Sequence, residues 1–344
     1  MNVFLFALFA CNDSQKDTPQ EDTAFTACDA TIESTYPILN AADVYYRDNL
    51  KVNFSEEGID ATLTLTDSSG TQVSGSGTTE GSQFTFTPNE PLTPSSSYRA
   101  SVQYCGSEEP VVIDFTTSSF GTPLTNGNSD LLGKTFAVDL ESGVVLEPAG
   151  VGELLRSLLS NTFLINVFET SDSTISVLSA LSYANSLEQN FCVPTLNDFP
   201  LIDVSQTPFF SLKADTLQLN VAAYNTKVYD FTVEGTFASD GSYFGQAYLS
   251  GEFDAREAYV LLSDFGFDAE NEDDVCGLLE DLGASCTECS TDGAPYCVRL
   301  VLDDLIANAI EEEIVPVCEI NCHVLCEENL ETCDQPQEEN TECN

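Results

Sequence analysis

Four cysteines lie close together late in the chain, with the spacing C-x9-C-x2-C-x7-C at Cys276, Cys286, Cys289 and Cys297. Four thiolates so spaced could hold zinc or an iron cluster, and the pair Cys286 and Cys289 could form a redox centre. The stretch SCTECSTDGAPYC reads as a loop, whereas a redox CxxC motif usually opens a helix after a strand. Outside the cytosol such thiols are usually oxidised, so structural disulfides are favoured.

A second cysteine motif occurs in the stretch CEINCHVLC, which contains Cys318, Cys322, His323 and Cys326. It resembles the CxxCH haem-attachment site widened by one residue, with His323 as the proximal ligand. The flanking sequence is polar and acidic and shows no apolar stretch that could enclose a haem. A run of disulfide-forming cysteines is therefore favoured over haem.

Residues suited to hydrolysis are either scarce or too numerous to single out. His323 is the only histidine, so a Ser-His-Asp or Cys-His arrangement would depend on it. A glycosidase-like carboxylate pair could form, but no pair stands out among 57 Asp and Glu residues. The motifs GxSxG and HExxH and a glycine-rich phosphate loop do not occur. We predict no catalytic residue, and a non-enzymatic role is favoured over an enzymatic one.

The acidic stretch DFGFDAENEDD is a weak calcium candidate. Clustered carboxylates suit Ca²⁺, although the EF-hand spacing and its glycine are missing. The alternative is a solvated acidic loop. The candidate ligands are Asp264, Asp268, Glu270, Glu272, Asp273 and Asp274. No other cofactor is predicted.

The N-terminal stretch MNVFLFALFACNDS ends an apolar run at Cys11. This run is too short to span a bilayer and fits a signal peptide over residues 1–10. The sequence LFAC resembles the lipobox of bacterial lipoproteins, although no Lys or Arg precedes the run. The resemblance implies cleavage before Cys11, a diacylated thiol, an acyl group such as palmitate on the new amino group, and anchoring by lipid. Asn12 then favours the outer membrane of a Gram-negative bacterium. The alternative is a chance apolar terminus with a buried cysteine.

Composition agrees with export. Beyond Cys11, an even number of cysteines remains, which suits disulfide pairing outside the cytosol. These are Cys28, Cys105, Cys192, Cys276, Cys286, Cys289, Cys297, Cys318, Cys322, Cys326, Cys333 and Cys343. The connectivity of the later ones cannot be read from sequence.

The net charge of −47 restricts the partners. It argues against nucleic acid and against anionic membrane surfaces, so membrane attachment would depend on the lipid. An envelope protein or a polysaccharide remains as a partner. An acid-rich surface also suits a saline habitat, because about 1 M salt shortens the Debye length to roughly 3 Å. An ordinary acidic secreted protein is the equal alternative.

Residues 11–27 are polar and aperiodic and indicate a tether. From residue 28 to 118, apolar and polar residues alternate in LKVNF, ATLTL, QFTFT, SYRASV and VVIDF. This alternation predicts strands with one buried face. Turns such as DSSG and EGS separate them, which favours a β-sandwich.

This segment resembles the bacterial Ig-like domain of S-layer and other surface proteins. The resemblance rests on the order of a VNFSE strand, the turn TPNEPLTPSSSY and a closing FTT. It implies an Ig-like sandwich that serves as an accessory or spacer domain. Cys28 and Cys105 are the only cysteines within it, and we expect them to pair.

A second domain is predicted over residues 131–310. Strands are indicated in GKTFAVDL, TFLINVF, TISVLSAL, TLQLNVAAY, KVYDFTVEGTF and YFGQAYLSGEF. The last two predict a hairpin around SDGS, with Tyr229, Phe231, Val233 and Phe237 on one face.

Two short helices interrupt these strands, in GVGELLRSLL and in DDVCGLLEDLG, the latter capped by Asp273 or Asp274. About seven or eight mostly antiparallel strands predict a curled sheet or barrel with helices over one end. Residues 311–344 form an acidic, cysteine-rich tail. The order of segments resembles the C-terminal part of uncharacterised bacterial lipoproteins, which implies no known activity. The whole chain is predicted to be mainly β.

The favoured function is a lipid-anchored, disulfide-stabilised cell-envelope protein that acts as a binding or structural surface module. One alternative is a carbohydrate-active enzyme with paired carboxylates, and another is a carrier of apolar ligands. Two carboxyls about 5–9 Å apart in a cleft would favour the enzyme. An apolar cavity in the second domain would favour the carrier, and a packed interior the structural role.

Overall fold

The computed structural model describes residues 29–105, 107–139, 143–148, 161–191, 193–196, 199–221, 224–259, 269–281 and 284–317. Strands dominate these residues, as predicted. The described helical elements are two single 3₁₀ turns, Gly127–Leu131 and Ala255–Glu257, and one helix, α1 (Glu272–Asp281). The prediction of a mainly β chain is confirmed.

The N-terminal domain is a sandwich of two sheets around one core. One sheet has the order β1-β3-β7-β6 and the other β2-β9-β8-β4-β5, in which β2 runs parallel to β9. The strands are β1 (Ile32–Tyr36), β2 (Ala41–Val44), β3 (Leu50–Phe54), β4 (Ala61–Asp67), β5 (Gln72–Val73), β6 (Gly75–Glu80), β7 (Gln83–Pro88), β8 (Ser97–Tyr104) and β9 (Val111–Thr117). The predicted alternation holds, because Leu50, Val52 and Phe54 are all buried against the facing sheet.

The second domain is a closed antiparallel barrel of eight strands. Its order is β10-β12-β13-β14-β15-β16-β17-β18, and β18 pairs back onto β10 between Thr135 and Ile310. A further short strand, β11, continues the edge of β10 along β18. The strands are β10 (Thr135–Asp139), β11 (Val144–Glu147), β12 (Asn161–Thr170), β13 (Thr174–Ala184), β14 (Ile202–Asp203), β15 (Phe209–Val221), β16 (Tyr224–Phe237), β17 (Tyr243–Asp254) and β18 (Cys297–Ile310). Of the two predicted architectures, curled sheet or barrel, the chain adopts the barrel.

The β16–β17 hairpin forms as predicted, but one of its residues faces differently. Asp230 has a positive φ of 47°, and the register between β16 and β17 shifts between Tyr229 and Thr232. This bulge breaks the alternation. Val228, rather than the predicted Tyr229, therefore joins Phe231 in the core.

The cysteine-rich segment connects β17 to β18. It packs beside the C-terminal end of β17 and the N-terminal end of β18. Its four cysteines form two disulfides, Cys276–Cys286 and Cys289–Cys297. The predicted disulfide bonds are thus present in this segment.

Helix α1 begins differently from the prediction. Asn271 is its cap, because its Oδ1 accepts from the backbone N–H groups of Asp273 and Asp274 at 3.0 and 3.3 Å. The Asp274 carboxylate instead accepts from the backbone N–H of Glu270 at 2.9 Å. The prediction was wrong because Asn and Asp are both good N-cap residues, so the sequence does not show which of them caps the helix. The acidic residues that follow Asn271 are instead favourable in the first turn.

Several predicted features lie outside the described residues. These are the signal peptide with Cys11, the tether, the helix in GVGELLRSLL, Asp264, Asp268, His323, and Cys28, Cys192, Cys318, Cys322, Cys326, Cys333 and Cys343. Cys105 is disulfide-bonded. Its partner is not among the described cysteines, because the other four pair with each other. The Cys28–Cys105 pairing therefore stays a prediction.

The two domains are in direct contact. The Tyr45 hydroxyl lies 2.6 Å from Thr236 Oγ1, and the Arg47 guanidinium lies 3.5 Å from the centroid of the Phe209 ring. The ring of Phe120, in the connecting segment, stacks on Tyr243 with centroids 5.5 Å apart. These contacts fix the sandwich against the side of the barrel.

Salt is expected to stabilise this protein. Among the described residues the ion pairs are few: Arg99–Asp114, Lys213–Glu234, Arg256 with Asp254 and Asp292, and Arg299–Glu147. Most acids therefore repel one another, more in the folded state than in the expanded chain. Raising NaCl from about 0.05 to 1 M should raise the melting temperature, because the Debye length shrinks severalfold. Calorimetry measures this, and an unchanged melting temperature would contradict it.

Candidate functional site

The barrel encloses a cavity of about 240 Å³. Every described residue that lines it is apolar. These residues are Phe136, Val138, Val145, Phe163, Ile165, Val167, Ile175, Val177, Phe199, Ile202, Phe210, Leu212, Leu217, Phe231, Val233, Phe237, Phe244, Ala247, Leu249, Leu300, Leu302 and Leu305. They come from β10 to β18 and from the segment between β13 and β14, so the whole barrel contributes to the wall.

Four phenylalanines form the floor of the cavity, namely Phe136, Phe210, Phe237 and Phe244. Their ring centroids lie 4.8 to 5.8 Å apart, in tilted and edge-to-face arrangements. Such geometries are favourable beyond the area they bury. Gly235 leaves room for this cluster, because a Cβ at that position would lie 2.6 Å from Phe210 Cζ. The floor is therefore packed to the density of a protein core.

Above the floor, the inward-facing side chains are only half-buried. Phe163 and Val138 pair across β12 and β10, and Val233 and Leu249 pair across β16 and β17. All four line the cavity and retain exposed surface. Because they face inward, this surface borders the empty space. The barrel is thus filled at one level and hollow at the next.

The wall is weakest between β13 and β15. Strand β14 bridges them with only two residues, at Ile175↔Ile202 and Asp203↔Ser211. Among the described residues, β13 and β15 do not pair with each other directly. The connecting segment completes the wall instead, and its Phe199 lines the cavity. Opening the wall here would break fewer backbone hydrogen bonds than elsewhere.

The hydroxyl of Ser179 is buried next to the cavity but is not part of its lining. Ser179 lies two residues after Val177 on β13 and opposite Ile165 on β12, and both of these line the cavity. It is 1 % exposed, and its Oγ has no hydrogen-bond partner among the described residues. An unpaired buried hydroxyl costs about 1–3 kcal/mol.

Charged groups lie around the cavity and not in its described wall. At the C-terminal end of β17, Arg256 forms two ion pairs. Its Nη2 lies 2.6 Å from Asp254 Oδ2, and its Nη1 lies 2.6 Å from Asp292 Oδ2. Burial raises the pKa of Asp254, but the Arg256 hydrogen bonds outweigh this and hold it below its usual value. Glu252 accepts from the Ser290 backbone at 2.8 Å. These bonds tie the cysteine-rich segment to the barrel.

Two groups of side chains could hold a metal ion: one found in the structure beside the cysteine-rich segment, and the calcium candidate predicted from the sequence. Ligand atoms of Glu252, Cys289 and Cys297 lie within 4.8 Å of one another, but the two sulfurs are bonded to each other and are not thiolates. Among the calcium candidates, Asp274 is engaged by backbone N–H groups, and Asp273 accepts from the Tyr296 hydroxyl at 3.1 Å. Glu270 and Glu272 lie beside them at the start of α1. The calcium site stays a prediction.

The arrangement is suited to binding. Within the described wall there is no carboxylate, thiol, histidine or lysine, so the wall offers no general acid, base or nucleophile. The sequence raised a cavity as an alternative without assigning residues to it, although it placed three of the lining residues, Phe231, Val233 and Phe237, on one face of a strand. The signal that could have found them is the alternation in β12 and β16, which places one residue in two on the inner face.

Residues 28–117 match the family model of the bacterial Ig-like domain. The resemblance seen in the sequence is confirmed for this part of the chain. Bacterial Ig-like domains and disulfide bonds are both typical of extracellular or envelope proteins. A comparison with curated proteins found no match. Among the described residues, no helix is long and apolar enough to cross a membrane.

Solved structures give only distant likenesses. CopC from Methylosinus trichosporium is 14 % identical with a TM-score of 0.23, over 26 % of this chain and 93 % of that one. L,D-transpeptidase 1 of Mycobacterium tuberculosis is 15 % identical with a TM-score of 0.19, over 44 % and 80 %. The S-layer protein SbsC is 11 % identical with a TM-score of 0.21, over 85 % and 54 %. Likenesses this weak transfer no function.

Proposed function

We propose that this chain is a lipid-anchored cell-envelope protein whose barrel binds a small, uncharged, apolar ligand. The observation that carries the proposal is the cavity of about 240 Å³ whose described wall is apolar throughout. Ligand pockets are usually mostly apolar with a few polar groups that fix orientation.

The volume limits the size of the ligand. An apolar cavity of about 150 Å³ stays dry and holds one benzene molecule. In proportion, a cavity of about 240 Å³ holds on the order of ten carbon atoms. A medium-length alkyl chain, a monoterpene or a bicyclic aromatic molecule has this size. A sterol or a whole phospholipid does not fit without opening the wall.

The charge of the protein selects against anions. With a net charge of −47, the surface repels an approaching carboxylate or phosphate at low ionic strength. Inside, an apolar wall offers no counter-ion, and burying an unpaired charge is costly. The ligand class is therefore neutral, such as an alcohol or a ketone, rather than a fatty-acid anion.

The location is the second part of the proposal. The lipobox-like sequence before Cys11 supports an N-terminal lipid, and the polar residues that follow would serve as a tether. The Ig-like domain would then hold the barrel away from the membrane surface. Disulfides in the barrel domain support an oxidising compartment. Such a protein would take up or present apolar molecules at the cell envelope.

Binding is expected for an uncharged fluorescent probe, 1-naphthylamine, because its bicyclic aromatic ring has ten carbon atoms and matches both the volume and the apolar wall of the cavity. Val233→Trp should weaken this binding by at least about tenfold, since the indole of a half-buried, inward-facing residue would occupy the cavity. Fluorescence titration measures it. Thr232→Trp is the matched control, because it is the next residue on β16 and does not line the cavity. Equal binding by both variants, or none by the parent protein, would contradict the proposal.

A further inference from the structure

The Ig-like domain and the connecting segment contact the barrel at three residues that each precede a phenylalanine of the cavity floor. Tyr45 contacts Thr236, Arg47 lies over Phe209, and Phe120 stacks on Tyr243. The residues that follow these three barrel residues in sequence are Phe237, Phe210 and Phe244, which form three quarters of the floor. Since successive residues of a strand face opposite sides, the contacts lie directly behind the floor.

The contacted residues form one continuous patch. Phe209 pairs with Thr236 across β15 and β16, and Thr236 pairs with Gly245 across β16 and β17. Phe120 covers Gly245 as well, since a Cβ there would lie 3.7 Å from Phe120 Cζ. Thr236 shows how completely the patch is covered. It faces outward from the barrel, yet it is 0 % exposed.

The contacts combine several kinds of interaction that fix geometry. The Arg47 guanidinium lies between the Phe209 ring and the Gln206 side chain, whose Oε1 it reaches at 3.0 Å. The rings of Phe120 and Tyr243 are nearly parallel, with an interplanar angle of 3°. Tyr45 also packs edge-on against Tyr46 with ring centroids 5.0 Å apart. Burial raises the pKa of Tyr45, so its hydroxyl stays protonated for its hydrogen bond with Thr236.

The connecting segment is shaped to hold this geometry. Gly121 follows Phe120 with a φ of +105°, and a Cβ there would lie 2.4 Å from the Tyr46 ring. Only glycine passes this close to the ring in that conformation. The path of the segment therefore holds the Phe120 ring against Tyr243.

We infer that the Ig-like domain positions the floor of the cavity, so that docking of the two domains and occupancy of the cavity are energetically coupled. The occupancy half of this inference rests on the proposed function. The physical reason is that a packed aromatic cluster shifts as a unit when the strands behind it move. Coupling is reciprocal, so a ligand that stabilises the floor also stabilises the docked arrangement. Tyr45, Arg47 and Phe120 are positioning residues, because none of them lines the cavity.

The test combines Arg47→Ala with Phe120→Ala in the full chain. Both side chains lie outside the two domain cores, so each domain should still fold. The affinity for 1-naphthylamine should fall about fivefold to tenfold. Arg99→Ala is the matched control, since Arg99 is an arginine of the same domain whose ion-pair partner, Asp114, belongs to that domain and not to the barrel. It should leave the affinity unchanged.

A second measurement separates this inference from the proposed function. Hydrogen exchange of the Phe210, Phe237 and Phe244 amides should quicken at least fivefold in the double variant and stay unchanged in Arg99→Ala. If the parent protein does not bind the probe, the proposed function fails, and the exchange result alone decides whether the domain positions the floor. Unchanged exchange and, where the probe binds, unchanged affinity would overturn the inference.

Discussion

Replacing Phe136 by alanine is expected to lower the free energy of unfolding of the barrel by about 3–5 kcal/mol, the cost usual for a buried aromatic ring. Phe136 is 1 % exposed and touches two further floor residues, Phe237 and Phe244, each with ring centroids 5.5 Å away. The loss removes buried apolar area and leaves a void that joins the existing cavity. Such a void cannot be closed by a small relaxation of the neighbours.

Urea unfolding followed by circular dichroism measures this loss. Phe168→Ala is a suitable control, because Phe168 belongs to the neighbouring strand β12 but is 55 % exposed. Its removal should change the unfolding free energy by less than about 0.5 kcal/mol. If both variants lost the same amount, Phe136 would not be a floor residue of a packed cluster.

Removal of both disulfides of the cysteine-rich segment is the second large effect expected. The bonds close loops with sequence separations of 10 and 8 residues. On the chain-entropy account, each contributes about 2–3 kcal/mol, so the two together contribute about 5 kcal/mol. The core beneath them is small and consists mostly of alanine and valine: Ala255, Ala258, Ala269, Val275 and Val298. Without the cross-links, this core is too small to keep the segment folded.

The expected result is local unfolding of residues 269–296 while the barrel stays folded. Hydrogen exchange by mass spectrometry should show protection lost in α1 and retained in β12 and β13. Alanine is the better replacement than serine, because Cys289 and Cys297 are 3 % and 0 % exposed and a buried serine hydroxyl would add its own cost. A variant with only Cys276→Ala and Cys286→Ala should show about half the effect. Full protection in the variant without both bonds would contradict this account.

The strands that sequence predicts correctly are those with uninterrupted alternation. In β3, the polar and apolar residues of LKVNF alternate, and Leu50, Val52 and Phe54 are all buried. The β16–β17 hairpin also has a turn sequence, SDGS, in which Gly241 adopts the positive φ that this turn requires. Where pattern and turn chemistry agree, local sequence is enough to define the element.

The longest strand that sequence does not predict is β18. Its sequence, CVRLVLDDLIANAI, places Leu302 and Leu305, three residues apart, in the same barrel core. The reason is a bulge, in which Asp304 takes a φ of +57° and the register with β17 shifts on either side of Ala247. A bulge moves successive residues to the same face, so the period of two is lost. Two aspartates in the middle of the strand conceal it further.

The cavity itself could not be predicted from the residues. Inward-facing positions of a filled barrel and of a hollow one alternate in the same way. What separates them is the barrel diameter, which strand number and stagger set. Val233 and Leu249 are ordinary core residues in sequence, and only the closed register of eight strands leaves space between them.

Closure of the barrel by its first and last strands has a consequence for how the chain is made. Thr135 pairs with Ile310, so the ring stays incomplete until synthesis has passed β18. Contacts between residues this distant in sequence make folding slow. During that interval, the inward-facing phenylalanines of β10, β15, β16 and β17 are not enclosed by a closed barrel, and exposed apolar surface of this kind promotes aggregation. We therefore expect the nascent chain to need a holdase until β18 has emerged, and a chain that ends before residue 297 to accumulate as aggregate rather than as a smaller folded protein.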